Sequence, residues 1–184
     1  MIPSPFKYES RLPAEHYQKI GQLSLRWSHI DHTLGNSLRV MLRLTPEEAV
    51  PVVFSLASDL RYHRIRELKD LNPLSPAADF AFRELDAVMR GLQPVRNNVV
   101  HAILYWSHSD GELALHLRSK NRTYTLDQII ETEELTNYAA IAVLNLRYRI
   151  QEDDHDPDEI PPPLPDRPAV PEFLRSSIQW PKNP

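Results

Sequence analysis

The predicted fold depends on residues 77–101, which read AADFAFRELDAVMRGLQPVRNNVVH. Apolar side chains recur along this stretch at intervals of three and four, the spacing of an α-helix that packs one face against a core. Pro94 lies inside the stretch and should kink the helix just before Arg96, because proline removes one hydrogen bond of the helical ladder. The pattern therefore predicts a long helix that ends near His101.

Other stretches with helical spacing flank this one, and they are residues 13–43, 58–71 and 125–150. Thr45 and Thr125 each begin a capping sequence, with Glu48 or Gln128 three positions later. After His101 the apolar spacing changes from about 3.6 residues to about 2, the period of a β-strand. The sequence predicts an all-α fold, a bundle of four to five helices with a small inserted β-hairpin at about residues 103–124.

Residues 151–184 differ in composition from the helical domain predicted for residues 1–150. Nine of the 17 prolines lie there, and eight acidic residues accompany three basic ones. Such a segment usually buries too little apolar surface to fold, so the composition predicts a flexible, acidic, proline-rich tail. Four residues near the end are too apolar for a simple spacer, and they are Phe173, Leu174, Ile178 and Trp180. Docking of the tail onto the body or onto a second subunit therefore stays open.

The composition also narrows the class of protein. No cysteine is present, which excludes disulfides and thiolate metal sites. No apolar run is long enough for a membrane span, and the first residues lack the apolar core of a signal peptide. We therefore expect a soluble, cytoplasmic protein without cofactor, metal or membrane. His29, Asp31 and His32 could suggest a metal site, but nothing in the sequence specifies a further ligand.

Arg96 and His101 are the candidate catalytic group, with Asn97 as a supporting residue. RNA can be cut when its 2′-hydroxyl attacks the adjacent phosphate, a reaction that needs a base, an acid and a cation at the phosphate. An imidazole suits the proton transfers near neutral pH, and the planar guanidinium suits the phosphate. Residues five apart on an ideal helix point about 140° away from each other, so Arg96 and His101 converge most simply across a symmetric dimer.

Weaker candidates accompany this group. Arg61 and Arg64 could follow an RNA backbone, and Tyr105 could stack on a base, although such residues more often belong to a solvated face or pack a hairpin. Asp31 could orient Arg96 through an ion pair, although such a residue more often belongs to a solvated helix face. The basic residues at 96–101 could also simply stabilise a helix C-terminus.

The element RNNVVH at residues 96–101 resembles the signature of HEPN domains, which is Arg, a polar residue, a few more residues and His. The first helix, with Ile20-Gly21-Gln22 leading to Trp27-Ser28-His29-Ile30-Asp31, is similar to that of bacterial HEPN-like proteins. The layout of residues 13–150 also resembles this family.

The resemblance implies a homodimeric, metal-independent endoribonuclease, of the kind that serves as a toxin or antiviral effector and can have an antitoxin or regulatory partner. It implies that Arg96 and His101 line the dimer cleft, with Asn97 and Asp31 in support. Some HEPN-like domains lack catalysis, so the alternative is a non-catalytic dimerisation module that binds a protein or a nucleotide.

Overall fold

The computed structural model describes residues 14–101, 103–106, 113–117, 122–151 and 160–182, and within residues 100–123 it describes the backbone alone. Five α-helices are present in these ranges: α1 (Ala14–Met41), α2 (Pro46–Ala49), α3 (Ser58–Leu71), α4 (Pro76–His101) and α5 (Leu126–Ile150). Three short strands lie between α4 and α5: β1 (Ile103–Trp106), β2 (Leu113–Leu117) and β3 (Arg122–Tyr124). A π-helical turn at Val50–Phe54 follows α2, and a 3₁₀ turn at Glu172–Leu174 lies near the end of the chain.

The core lies between α1, α4 and α5. Helix α5 packs along both α1 and α4, and α3 packs against α1. Trp27 of α1, Leu85 of α4 and Leu146 of α5 are each at most 2% exposed. Burying one such side chain contributes roughly 1.5–3 kcal/mol, which explains why the apolar faces of these helices associate. The predicted helical bundle is confirmed. None of the helices in the described ranges is long and apolar enough to cross a membrane.

Both predicted capping sequences form. The Thr45 hydroxyl accepts from the Glu48 amide, and the Glu48 carboxylate accepts from the Thr45 amide at 2.9 Å. Thr125 and Gln128 make the same reciprocal pair at the start of α5. Each pair satisfies backbone donors that a helix start otherwise leaves free. The starts of α2 and α5 are therefore determined locally.

The three strands form an antiparallel sheet in the order β1-β2-β3. Ile103 pairs with His116 and Trp106 with Leu113, while Leu115 of β2 pairs with Tyr124 of β3. The chain between β1 and β2 lies outside the described residues. The sheet follows directly on the end of α4, so it lies next to the helix end that carries the Arg–His element.

Residues 160–182 pack against the helices. Leu174 and Ile178 are only 4% and 3% exposed, and Trp180 meets the ring of Tyr138 edge-on at 5.0 Å. A Cβ on Gly91 would lie 2.6 Å from Ile178 Cγ1, so a glycine there permits the close approach of this segment to α4. The docking of these residues differs from the flexible tail that their composition predicted. The acidic stretch 152–159 lies outside the described residues.

A buried carboxylate joins this segment to the bundle. Glu84 of α4 is 0% exposed, and it accepts a hydrogen bond of 2.5 Å from the Tyr138 hydroxyl. Arg167 donates to both carboxylate oxygens, at 3.0 Å from Nε and 2.6 Å from Nη2. We call Glu84, Tyr138 and Arg167 the carboxylate clamp. Burial, and then the hydrogen bond to Glu84, raises the pKa of Tyr138 well above the ordinary tyrosine value.

Replacing Arg167 with methionine should destabilise the fold by about 3–5 kcal/mol, because it leaves the Glu84 carboxylate buried without its cation. The double variant Glu84→Gln/Arg167→Met should recover part of that loss, since no charge then remains buried. Arg175→Met, a matched change at an exposed position of the same segment, should alter stability by less than about 0.5 kcal/mol. Urea denaturation followed by circular dichroism measures all three. Equal midpoints for Arg167→Met and Arg175→Met would contradict the clamp.

The fold should also lose stability in alkali through Tyr138. An unfolded tyrosine ionises near pH 10, whereas the folded state holds the Tyr138 phenol neutral to higher pH. The stabilisation is therefore fully present below pH 10 and falls as the pH rises above it, by up to about 1.4 kcal/mol per pH unit. Tyr138→Phe should show a shallower decline between pH 10 and 11.5 and a parallel curve below pH 9. Identical alkaline slopes for the two proteins would refute this assignment.

Candidate functional site

Arg96 lies near the end of α4 and is half-buried. The carbon of its guanidinium lies 5.5 Å from the centre of the buried Trp27 ring, and Nη1 donates to Asn97 Oδ1 at 2.9 Å. The Nε atom is buried and has no hydrogen-bond partner among the described residues. The same residues provide no carboxylate for Arg96 either. A cation stacked on α1 is thus held near the end of α4 without a neutralising carboxylate from the described residues.

His101 is the last residue of α4. Its side chain lies outside the described residues, as does that of Tyr105 in β1. Arg96 and His101 are five positions apart along the helix, which corresponds to a rise of about 7.5 Å. A phosphate bound by Arg96 would therefore meet the imidazole of His101 if the helix end bends, or if the histidine comes from a second subunit.

Asn97 and Asn98 face different surroundings. Asn97 is exposed, and its oxygen is engaged by Arg96. Asn98 is 5% exposed and donates at 2.9 Å to the hydroxyl of Tyr124, which ends β3. Asn98 thereby ties the sheet to α4, whereas Asn97 remains able to meet a ligand.

Asp31 does not pair with Arg96. Its Oδ1 lies 2.8 Å from Nη1 of Arg61, and the two side chains form an ion pair between α1 and α3. Arg61 is 8% exposed and also donates to the carbonyls of Val53 and Phe54 in the π-helical turn, at 3.1 and 2.8 Å. The guanidinium thus gives two carbonyls of the irregular turn a side-chain donor. This placement argues against RNA contact by Arg61 and gives Asp31 a different partner from the predicted one.

Arg64 lies on the outer face of α3. Its side chain is 54% exposed and forms an ion pair of 2.5 Å with Glu67, one turn further along. Exposed pairs of this kind contribute little to stability. RNA contact by Arg64 stays a prediction.

A cleft of about 560 Å³ lies between α3 and α4, beside Arg96. Each helix lines it with residues at positions i, i+3, i+4 and i+7, which lie on one helical face. From α3 these are Asp59, Tyr62, His63 and Arg66, and from α4 they are Arg90, Gln93, Pro94 and Asn97. We call this cleft the α3–α4 cleft. The sequence analysis did not identify Arg90 and Gln93. Polar residues that recur at i, i+3, i+4 and i+7 on two helices are the signal that could have identified them.

Tyr62 forms the buried base of the α3–α4 cleft. Its hydroxyl donates to Asp86 Oδ1, and Arg90 donates to Asp86 Oδ2 at 2.5 Å. Burial raises the pKa of Tyr62 well above its ordinary value, and the hydrogen bond to Asp86 adds to this effect. The bond to Asp86 likewise raises the pKa of Arg90. Tyr62 therefore stays a neutral donor at physiological pH, and the chain Tyr62–Asp86–Arg90 joins the two helices.

Comparisons with known proteins add no relative: no family model, curated protein or solved structure matches the chain significantly. The described residues also contain no group of three or more metal-ligating side chains of histidine, aspartate or glutamate.

The two neighbouring arginines of α3 should respond differently to substitution. Arg61→Met should destabilise the protein by about 2–4 kcal/mol, because buried carbonyls and Asp31 lose their donor. Arg64→Met should change stability by less than about 0.5 kcal/mol, since its ion pair is exposed. The urea unfolding midpoints of the two variants, each compared with that of the wild type, measure these changes in stability. A mild effect of Arg61→Met would show that its contacts with the π-helical turn are dispensable.

Proposed function

We propose that this chain is a metal-independent endoribonuclease that acts as a homodimer in the cytoplasm. The observation that supports the proposal is the state of Arg96, a half-buried guanidinium with no carboxylate partner among the described residues. A partly desolvated cation without an anion favours an anionic ligand. A phosphodiester matches the two-donor edge of a guanidinium in charge and shape.

In this proposal Arg96 binds the phosphate at the scissile bond, and His101 transfers protons. A base removes the proton of the 2′-hydroxyl, and the 2′ oxygen forms a bond to phosphorus. The bond from phosphorus to the 5′ oxygen breaks, and an acid supplies the proton that this oxygen takes up. The products are a 2′,3′-cyclic phosphate and a free 5′-hydroxyl. Arg96 neutralises the charge that grows on the phosphoryl oxygens during attack.

The proposal includes a homodimer because one Arg–His element provides a single histidine, whereas the reaction needs two proton transfers. A twofold axis beside the end of α4 would bring two imidazoles and two guanidiniums to one groove. The resemblance of residues 96–101 to the HEPN signature points the same way. It also suggests a toxin or antiviral effector, with an antitoxin or regulatory protein as a further partner.

A second candidate function is a non-catalytic, HEPN-like interaction module. The observation that favours it is the stacking of Arg96 on Trp27, 5.5 Å from the ring centre, which gives the arginine a structural role between α1 and α4. In that case the Arg–His element stabilises the helix end, and the protein binds a protein or nucleotide without cleaving it.

Cleavage of RNA by purified protein in EDTA tests the proposal. Wild type should produce fragments with 2′,3′-cyclic phosphate ends, and His101→Ala should reduce the rate by about 10²–10⁴, the usual contribution of general acid–base catalysis. His29→Ala, which removes an exposed histidine from α1, should cleave at the wild-type rate. Arg96→Lys keeps the charge but loses the two-donor edge, and should slow cleavage while preserving the fold.

Light scattering during gel filtration checks the assembly, because the proposed site needs two subunits. Equal cleavage by wild type and His101→Ala would rule out the proposed chemistry. Absence of cleavage by a well-folded wild-type dimer would favour the interaction module.

A further inference from the structure

The α3–α4 cleft presents hydrogen-bond donors from both of its walls. His63 and Arg66 are exposed on α3, and Gln93 and Asn97 come from α4. The ring of His63 lies 5.5 Å from that of Tyr62, so an aromatic surface borders the donors. A volume of about 560 Å³ falls in the range of ligand-binding clefts, about 300–1,000 Å³.

The charge at one end of the cleft favours an anion. Among the residues that line it, two arginines accompany one acidic residue, Asp59. Arg90 is neutralised by Asp86, whereas Arg66 forms no ion pair with any described residue. Asp59 lies seven positions from Arg66, about 10.5 Å along α3, so Arg66 leaves the opposite end of the cleft positively charged.

Asn97 connects the cleft to the candidate catalytic group. An arginine can only donate, so the bond of 2.9 Å from Arg96 Nη1 engages the amide oxygen of Asn97. The amide nitrogen of Asn97 is then the atom that can donate to a ligand. Two consecutive residues of α4 thus offer donors to adjoining sites: Arg96 donates at the helix end, and Asn97 donates inside the cleft.

We propose that the α3–α4 cleft binds the backbone of single-stranded RNA next to the phosphate held by Arg96, with Arg66 as its main phosphate contact. His63 and Asn97 donate to the same strand, and the His63 ring can stack on a base. The identity of the ligand rests on the proposed function. The cleft would position the strand and hold it without taking part in proton transfer.

Binding of a fluorescein-labelled, fully 2′-O-methylated RNA oligonucleotide tests this inference without cleavage, because the probe has no 2′-hydroxyl to attack. Arg66→Gln should weaken binding roughly tenfold, as expected for one charge-assisted contact. It should also reduce the salt dependence of log K by about 0.7, the value for one phosphate on a single strand. Arg175→Gln, an equal change of charge at an exposed residue outside the cleft, should leave the affinity within twofold and the salt dependence unchanged.

Cleavage of unmodified RNA separates this inference from the nuclease proposal. Arg66→Gln should raise KM and leave kcat unchanged, whereas His101→Ala should lower kcat. If His101→Ala abolishes cleavage but Arg66→Gln and Arg175→Gln bind the probe equally well, the cleft inference is wrong and the nuclease stands. If only Arg66→Gln loses affinity for the probe, and neither the wild type nor any variant cleaves RNA, the cleft inference stands and the nuclease proposal fails. A wild type that does not bind the probe would overturn the inference.

Discussion

A fully buried carboxylate constrains the whole fold. Glu84 lies in the middle of α4, and leaving its charge without a cation in the core would cost several kcal/mol. Tyr138 of α5 and Arg167 of the C-terminal segment provide the two contacts it needs. Arg167 also lies 5.6 Å from the ring centre of Trp180, which packs on Tyr138. One charge therefore holds together a helix pair and a segment that forms almost no regular secondary structure of its own.

The position of the candidate site follows from this arrangement. Helix α4 is held at its middle by the carboxylate clamp and near its end by the bond from Asn98 to Tyr124. Between these points Arg90 connects to α3 through Asp86 and Tyr62. A helix restrained at three levels presents Arg96 and Asn97 on a rigid support, which is what positioning a phosphate requires. The chemistry proposed here belongs to the last turns of that helix.

Much of the fold could be predicted from residue spacing, because helix formation and capping are local. The long helices and the reciprocal caps of Thr45 and Thr125 follow from patterns within a few residues. The docking of residues 160–182 could not, since proline and acidic content describes how a segment behaves alone. Its burial depends on Arg167 meeting Glu84, 83 positions earlier, and on Ile178 meeting the bare backbone at Gly91.

The candidate site divides in the same way. The sequence by itself determined that Arg96, Asn97 and His101 share the end of one helix, because their spacing and the helical period are both local. Only the tertiary structure decided that Asp31 serves Arg61 rather than Arg96, and that Arg66 and Arg90 line one cleft. The physical reason is that ion pairs and clefts form between faces of different helices. The rotation of one helix against another is determined by the packing of the core, which no single stretch of sequence contains.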